Sequence, residues 1–298
     1  MNSKLIRFRP GIVAVALLVG ALLISASATF AEPALWVVKG PHATVYLFGS
    51  VHALKKDVPW RSAKIDAAIQ QSGSLWLEVP NIEDTKALQP LILQLGVDQE
   101  HPLSSKLTKE QAALLDKIAK DMGIPGGETA MEPLKPWLAA VTLSAAPMMK
   151  AGFDLHSGVE EVLKPEFDKA GKPVKGFETA EQQLHFFADL PDKEQLDYLN
   201  SELNDFDQAA ETFKKTVTAW YAGDETALDQ IFSAEFRDKY PNLYQILIVK
   251  RNQDFASQID GLLKGDGTVF VAIGAGHLVG RDSVPVMLEK MGYKVVRQ

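Results

Sequence analysis

Four side chains in this sequence stand where apolar runs end, and together they could do hydrolytic chemistry. In "TVYLFGSVHALK", residues 44–55, the run stops at Gly49 and His52 follows three residues later; "TVFVAIGAGHLVG", residues 268–280, repeats the pattern with Gly274 and His277. Two shorter runs, "SLWLEV" and "KPVKGFE", deliver Glu78 and Glu178. Two imidazoles and two carboxylates at one address suit a divalent metal with a position left open for water. Such a metal lowers the pKa of the water and polarises a carbonyl, which gives hydrolysis without an amino-acid nucleophile. Cysteine is absent, as are a G-x-S-x-G elbow and an H-E-x-x-H helix, so thiolate chemistry and two common hydrolase signatures are excluded.

Other polar residues are candidates of a second rank. Arg251 and Asn252 interrupt the apolar side of a helix in "ILIVKRNQDFA", where an anion clamp for a substrate carboxylate or a developing oxyanion competes with solvated surface. His156 and Glu160 lie four apart and suit a partner or capping role better than metal ligation. His42, His101 and His185 are expected in a turn, a loop and a helix surface.

These residues need a sheet to gather them. The runs "ALWVV" and "TVYLFG", joined by "KGPHA", predict an opening β-hairpin, and "PWRSAKIDAAIQQSG" predicts a helix stopping near Gly73. Thr108 with Gln111 and Thr179 with Gln182 have capping-box spacing, and Pro165 is expected to end or kink the helix in "GVEEVLKPEFDKAG". Alternating strands and helices predict an α/β fold: a central mixed, largely parallel sheet flanked by helices, with helical segments at about 81–150 and 190–265. Ligands of open α/β sheets bind outside the carboxyl ends of the strands, where the four residues are expected to meet.

Composition sets the compartment. Residues 1–31 carry Lys4, Arg7 and Arg9, a short apolar run and small residues near Ala28 and Ala31, which together read as a signal peptide, with an uncleaved anchor as the alternative. The expected product is one domain over 32–298, periplasmic or secreted, with no membrane span. The formal charge of −7 would become −10 (−7 minus 3) on cleavage, which argues against nucleic acid as a partner.

The sequence resembles the TraB/PrgY/GumN family, whose eukaryotic relatives include the Tiki membrane-anchored proteases. The resemblance is carried by "YLFGSVHAL", "LWLEV", "GVEEVL", "GKPVKGFETAEQQL", "KRNQDFASQI", "FVAIGAGHLVG" and "GYKVV". It implies a fold related to erythromycin esterase and ChaN-like proteins and, through Tiki, a metalloprotease activity dependent on manganese or cobalt-like ions. His52 and His277 fall on the two family histidines, Glu78 on the acid after the early strand, and Arg251 with Asn252 on the family's "RN". Glu178 falls on the acid of its "LE" pair, here "FE". Bacterial members are linked to pheromone shutdown and polysaccharide production, and some relatives of the fold bind haem.

The resulting expectation is an exported metal-dependent hydrolase, most simply a peptidase, acting on a peptide or small molecule. His52, Glu78 and His277 would hold manganese, cobalt or zinc, Glu178 would serve as general base or further ligand, and Arg251 and Asn252 would orient the substrate. The alternative is a binding protein that sequesters a peptide or small ligand in the same cleft without chemistry.

Overall fold

A computed structural model describes residues 32–80 and 85–298. The signal peptide expected over residues 1–31 and the beginning of the segment expected from 81 lie outside the described residues. Six strands form one sheet: β1 (Leu35–Lys39), β2 (His42–Ser50), β3 (Ser74–Leu77), β4 (Val174–Gly176), β5 (Asp266–Gly274) and β6 (Val295–Arg297), in the order β4-β3-β5-β2-β1-β6. β4, β3, β5 and β2 run parallel, while β1 is antiparallel to both of its neighbours. The α/β architecture with a mixed, largely parallel sheet flanked by helices is therefore as the sequence predicts.

β5 is apolar and buried from Val269 to Ile273 because helices cover both faces of the sheet there, as parallel strands require. Phe270 and Ala272 pack with Phe48, Leu75, Trp60 and Trp220, whereas Val269, Val271 and Ile273 pack on the opposite face with Leu47, Phe255 and Ile259. A third cluster joins the Lys109–Asp121, Pro136–Lys150 and Asp192–Tyr221 helices through Leu115, Leu143 and Leu199. It lies beyond the sheet and accounts for the long helical stretches of the sequence.

Both expected capping boxes form, at Thr108–Gln111 and Thr179–Gln182. Pro165 does not end its helix, which runs from Val159 to Lys169. The first helix begins at Ala63 because the Ser62 side chain accepts the Ile65 N–H and caps it there.

Strand register brings the polar residues together. β2 and β5 pair from His42↔Asp266 to Ser50↔Gly274, so the two glycine–histidine segments leave adjacent strands at the same level. β3 and β4 pair through Leu77↔Gly176, and beyond them the Glu178 N–H still donates to the Glu78 carbonyl at 2.9 Å. The histidines come from one strand pair and the acids from the next.

One long-range bond ties the outer helices to this edge. Trp220, on the 30-residue Asp192–Tyr221 helix, donates its indole N–H to the Gly49 carbonyl at 2.6 Å, inside the Phe48–Trp60–Trp220 cluster. Trp220→Phe leaves that buried acceptor unpaired and is expected to cost about 1–3 kcal/mol. Urea denaturation checks this; an unchanged midpoint would mean that the carbonyl finds another partner.

Candidate functional site

His52 sits in the loop after β2, and the Val159–Lys169 helix presses against that loop. The Val159 N–H donates to the Val51 carbonyl at 3.1 Å, and a Cβ on Gly158 would lie 2.3 Å from the His52 carbonyl oxygen. Only glycine fits there. The approach brings Glu160, in the first turn of the helix, 2.9 Å from His52 Nδ1, and Ser50 donates to the same carboxylate. The charge of Glu160 and its hydrogen bond raise the His52 pKa. The ring is 65% exposed, so solvent screening weakens that pull. His156 does not share a helix face with Glu160: it is exposed on the preceding 3-10 turn, Leu155–Ser157.

His277 is buried. Its Nδ1 lies 2.6 Å from Asn252 Oδ1, and Asn252 Nδ2 donates to the Asp282 carbonyl at 2.7 Å. With the amide's orientation fixed in this way, its oxygen faces the ring and Nδ1 is the atom that carries the proton. Burial, with the nearby positive charge of Arg251, pushes the imidazole pKa down to about 4. It is neutral at physiological pH, with its lone pair on Nε2. Asn252 is wholly buried and both ends of its amide are engaged, so it positions His277 and does not reach a substrate as the sequence suggested.

Arg251 joins the remaining parts. Its Nε and Nη2 donate to the two oxygens of Glu178, each at 2.8 Å, and Nη2 also donates to Glu78 Oε2 at 2.6 Å. Nη1 donates to the Leu247 carbonyl at 3.3 Å and approaches His277 Nε2 at 3.2 Å. Phe186 and Phe255 each place a ring centroid 5.4 Å from the guanidinium carbon. A π-helical stretch, Gln245–Lys250, leads directly into the Arg251–Leu263 helix, and such stretches are frequent at functional sites.

Burial alone would raise the pKa of Glu78. The positive charge that His277, Arg251 and His52 can carry outweighs it, with the Gly274 N–H donating to Oε1 at 2.6 Å, and the carboxyl is held well below its usual range. Because His277 is neutral, Arg251 is the buried charge that acts at neutral pH.

Gln183 and Glu160 are the residues that sequence reasoning did not assign to the site. Gln183 Nε2 donates to Glu178 Oε2 at 2.9 Å and to Glu78 Oε2 at 3.2 Å. Its only sequence signal is its place in the first turns of the helix after Glu178. Glu160 lies in the "GVEEVL" segment already singled out. His42 opens β2 and does not lie in a turn, His101 is paired with Asp98 in a loop, and His185, paired with Asp189 on its helix, takes no part in the cluster although it lines the neighbouring cavity.

The donor chemistry of a metal site can be tested on these positions. Each histidine has its Nδ1 tied to an oxygen, the arrangement that second-shell partners impose on metal-ligating imidazoles. A Cβ on Gly274 would lie 3.0 Å from Glu78 Oε1, 3.5 Å from His277 Cδ2 and 3.8 Å from His52 Nε2, so the three groups surround one bare α-carbon. The donor types fit a divalent cation. Among the described residues no three such side chains are already drawn together as a metal-binding group, and Arg251 points an N–H at the His277 nitrogen a cation would use.

The fold and this cluster define an α/β protein whose functional groups gather at the carboxyl ends of a largely parallel sheet. The chain belongs to the TraB/PrgY/gumN family, which it matches over residues 34–297. It is 25% identical to the Escherichia coli (strain K12) protein YbaP, across 86% of this chain and 92% of that one. It is 24% identical to Metalloprotease TIKI2 of Xenopus tropicalis and of Danio rerio, in each case across 88% of this chain and 59% or 60% of the longer relative. No solved structure matches.

Removing Arg251 should expose what it does. Arg251→Met leaves two buried carboxylates without their cation and is expected to destabilise by about 3–5 kcal/mol in the presence of chelator. The acid response should change as well. The depressed pKa of Glu78 stabilises the wild type above the ordinary carboxylate range of about 4, and this is lost as pH falls below it. In the variant that loss should largely vanish. Denaturant titrations from pH 7 to 3 check it, and parallel curves for the two proteins would contradict the assignment.

Proposed function

We propose that this chain is an exported hydrolase that cleaves peptides at the strand-end cluster, with a divalent cation held by His52, His277 and Glu78. The observation that carries this reading is that both histidines have Nδ1 tied to an oxygen, at Glu160 and Asn252, and flank Gly274 beside the Glu78 carboxylate. Similarity to proteins named metalloproteases along most of this chain supports it. A bound manganese, cobalt or zinc ion would supply a water acidic enough to ionise near neutral pH and a Lewis acid for a carbonyl oxygen. The apolar run in residues 1–31 supports export to the periplasm or beyond. Among the described residues no helix is long and apolar enough to cross a membrane.

The chain's own residues divide the remaining work. Glu160 and Asn252 orient the two imidazoles. Glu178 accepts from Arg251 at both oxygens and from Gln183 at one, so its carboxylate is committed to these donors. Its role is to hold Arg251. The guanidinium keeps Glu78 ionised and is the nearest cation for negative charge developing on a substrate oxygen.

Equilibrium dialysis against manganese, cobalt and zinc, followed by a peptide-cleavage screen with and without chelator, tests the proposal. The wild type should retain about one ion per chain and cleave only with it. The His52→Ala, His277→Ala double variant should retain none, and Asn252→Ala should bind about 10–100-fold more weakly. Equal retention by the double variant, or cleavage that survives in it, would overturn the reading. Tight peptide binding that ignores chelator, with no turnover, would favour the sequestering alternative.

A further inference from the structure

Beside the strand-end cluster lies a cavity of about 560 Å³, between the Ala180–Ala188 helix and the helix that carries Arg251. Glu178 and Arg251 form its inner end, so it is continuous with the site described above. Phe186, Leu190 and Ile246 give it an apolar wall. Phe186 is also one of the two rings stacked on Arg251, so whatever fills the cavity touches the ring that steadies the guanidinium.

The polar groups of the rim discriminate among occupants. Asp189 is engaged by His185, and Asp254 accepts from Gln258 at 2.8 Å. The Gln182 side-chain oxygen accepts the Thr179 N–H, but its amide N–H groups have no partner among the described residues, and neither has the Lys250 ammonium. Two unengaged donors, the Gln182 amide and the Lys250 ammonium, thus stand beside the apolar wall. An occupant that satisfies them needs a large apolar side chain flanked by carbonyl oxygens, which is the chemistry of a peptide segment with an aromatic or long aliphatic residue. The volume is of the size that encloses a drug-sized ligand and exceeds what one side chain fills, leaving room for the adjoining backbone.

We propose that this cavity is the specificity subsite of the protein, accepting a large apolar side chain of a bound peptide while Gln182 and Lys250 donate to the peptide's carbonyl groups. This rests on the peptidase reading for its purpose, but binding can be measured without turnover. Ligand-observed NMR titration of the full chain with N-acetyl-Ala-Phe-Ala-amide and its Ala-Gly-Ala counterpart is the direct test.

The Phe peptide should bind at least about tenfold more tightly than the Gly peptide, as expected for burying an aromatic ring. Ile246→Trp, which fills the cavity, should abolish that preference. Lys250→Ala, at an exposed position outside the strand-end cluster, should weaken both peptides with the fold intact. Equal affinity for the two peptides, or a preference that survives Ile246→Trp in a folded variant with Lys250→Ala also silent, would overturn the subsite. A Phe preference in a protein that cleaves nothing would leave the subsite standing and remove the hydrolase reading, whereas cleavage indifferent to the side chain would do the reverse.

Discussion

The guanidinium of Arg251 is the constraint on which the rest of the site depends. Parallel strands β3 and β4 bring Glu78 and Glu178 side by side, linked by the Glu178 N–H to the Glu78 carbonyl. Two carboxylates so close in a largely dry environment cannot both stay ionised without a cation between them. Arg251 supplies it with a fork that meets both acids, and aromatic rings near the guanidinium limit how far it can move. The same side chain reaches toward His277, so the acids and one imidazole form a single electrostatic unit.

The scaffold explains why these groups meet. A parallel sheet releases all its chains at one edge, and here two strand pairs deliver two kinds of group: imidazoles after β2 and β5, carboxylates after β3 and β4. Each imidazole is then fixed from outside the sheet. The Val159–Lys169 helix brings Glu160 to His52, and the Arg251–Leu263 helix brings Asn252 to His277. Tying Nδ1 leaves Nε2 as the acceptor, which at His277 faces an Arg251 N–H; such a lone pair suits a cation ligand, and it also suits a neutral acceptor.

Much of this was legible in the sequence, for a physical reason. A strand that stops at glycine and presents histidine carries its own signal, and the period of the apolar runs gave the layers of the fold. Arg251 and Asn252 were legible as polar interruptions of an apolar helix, but not their separate destinations: neighbouring residues of a helix point to different sides, and packing sends one to the acids and buries the other against His277. Gln183 and the pairing of Glu160 with His52 were not legible. They depend on which turn of a helix faces the sheet edge, and that is set by packing across more than 100 residues of chain. Pro165 shows the converse limit, since its helix continues through a residue that usually breaks one.

The central claim is that His52, His277 and Glu78 surround one point in space and share a ligand there. X-ray absorption of the cobalt-loaded protein tests it most directly, because scattering from imidazole rings is distinct from that of carboxylate or water. The account predicts two imidazoles on the metal in the wild type and one in His277→Ala. A metal bound only through oxygen, or a spectrum unchanged by that substitution, would contradict it.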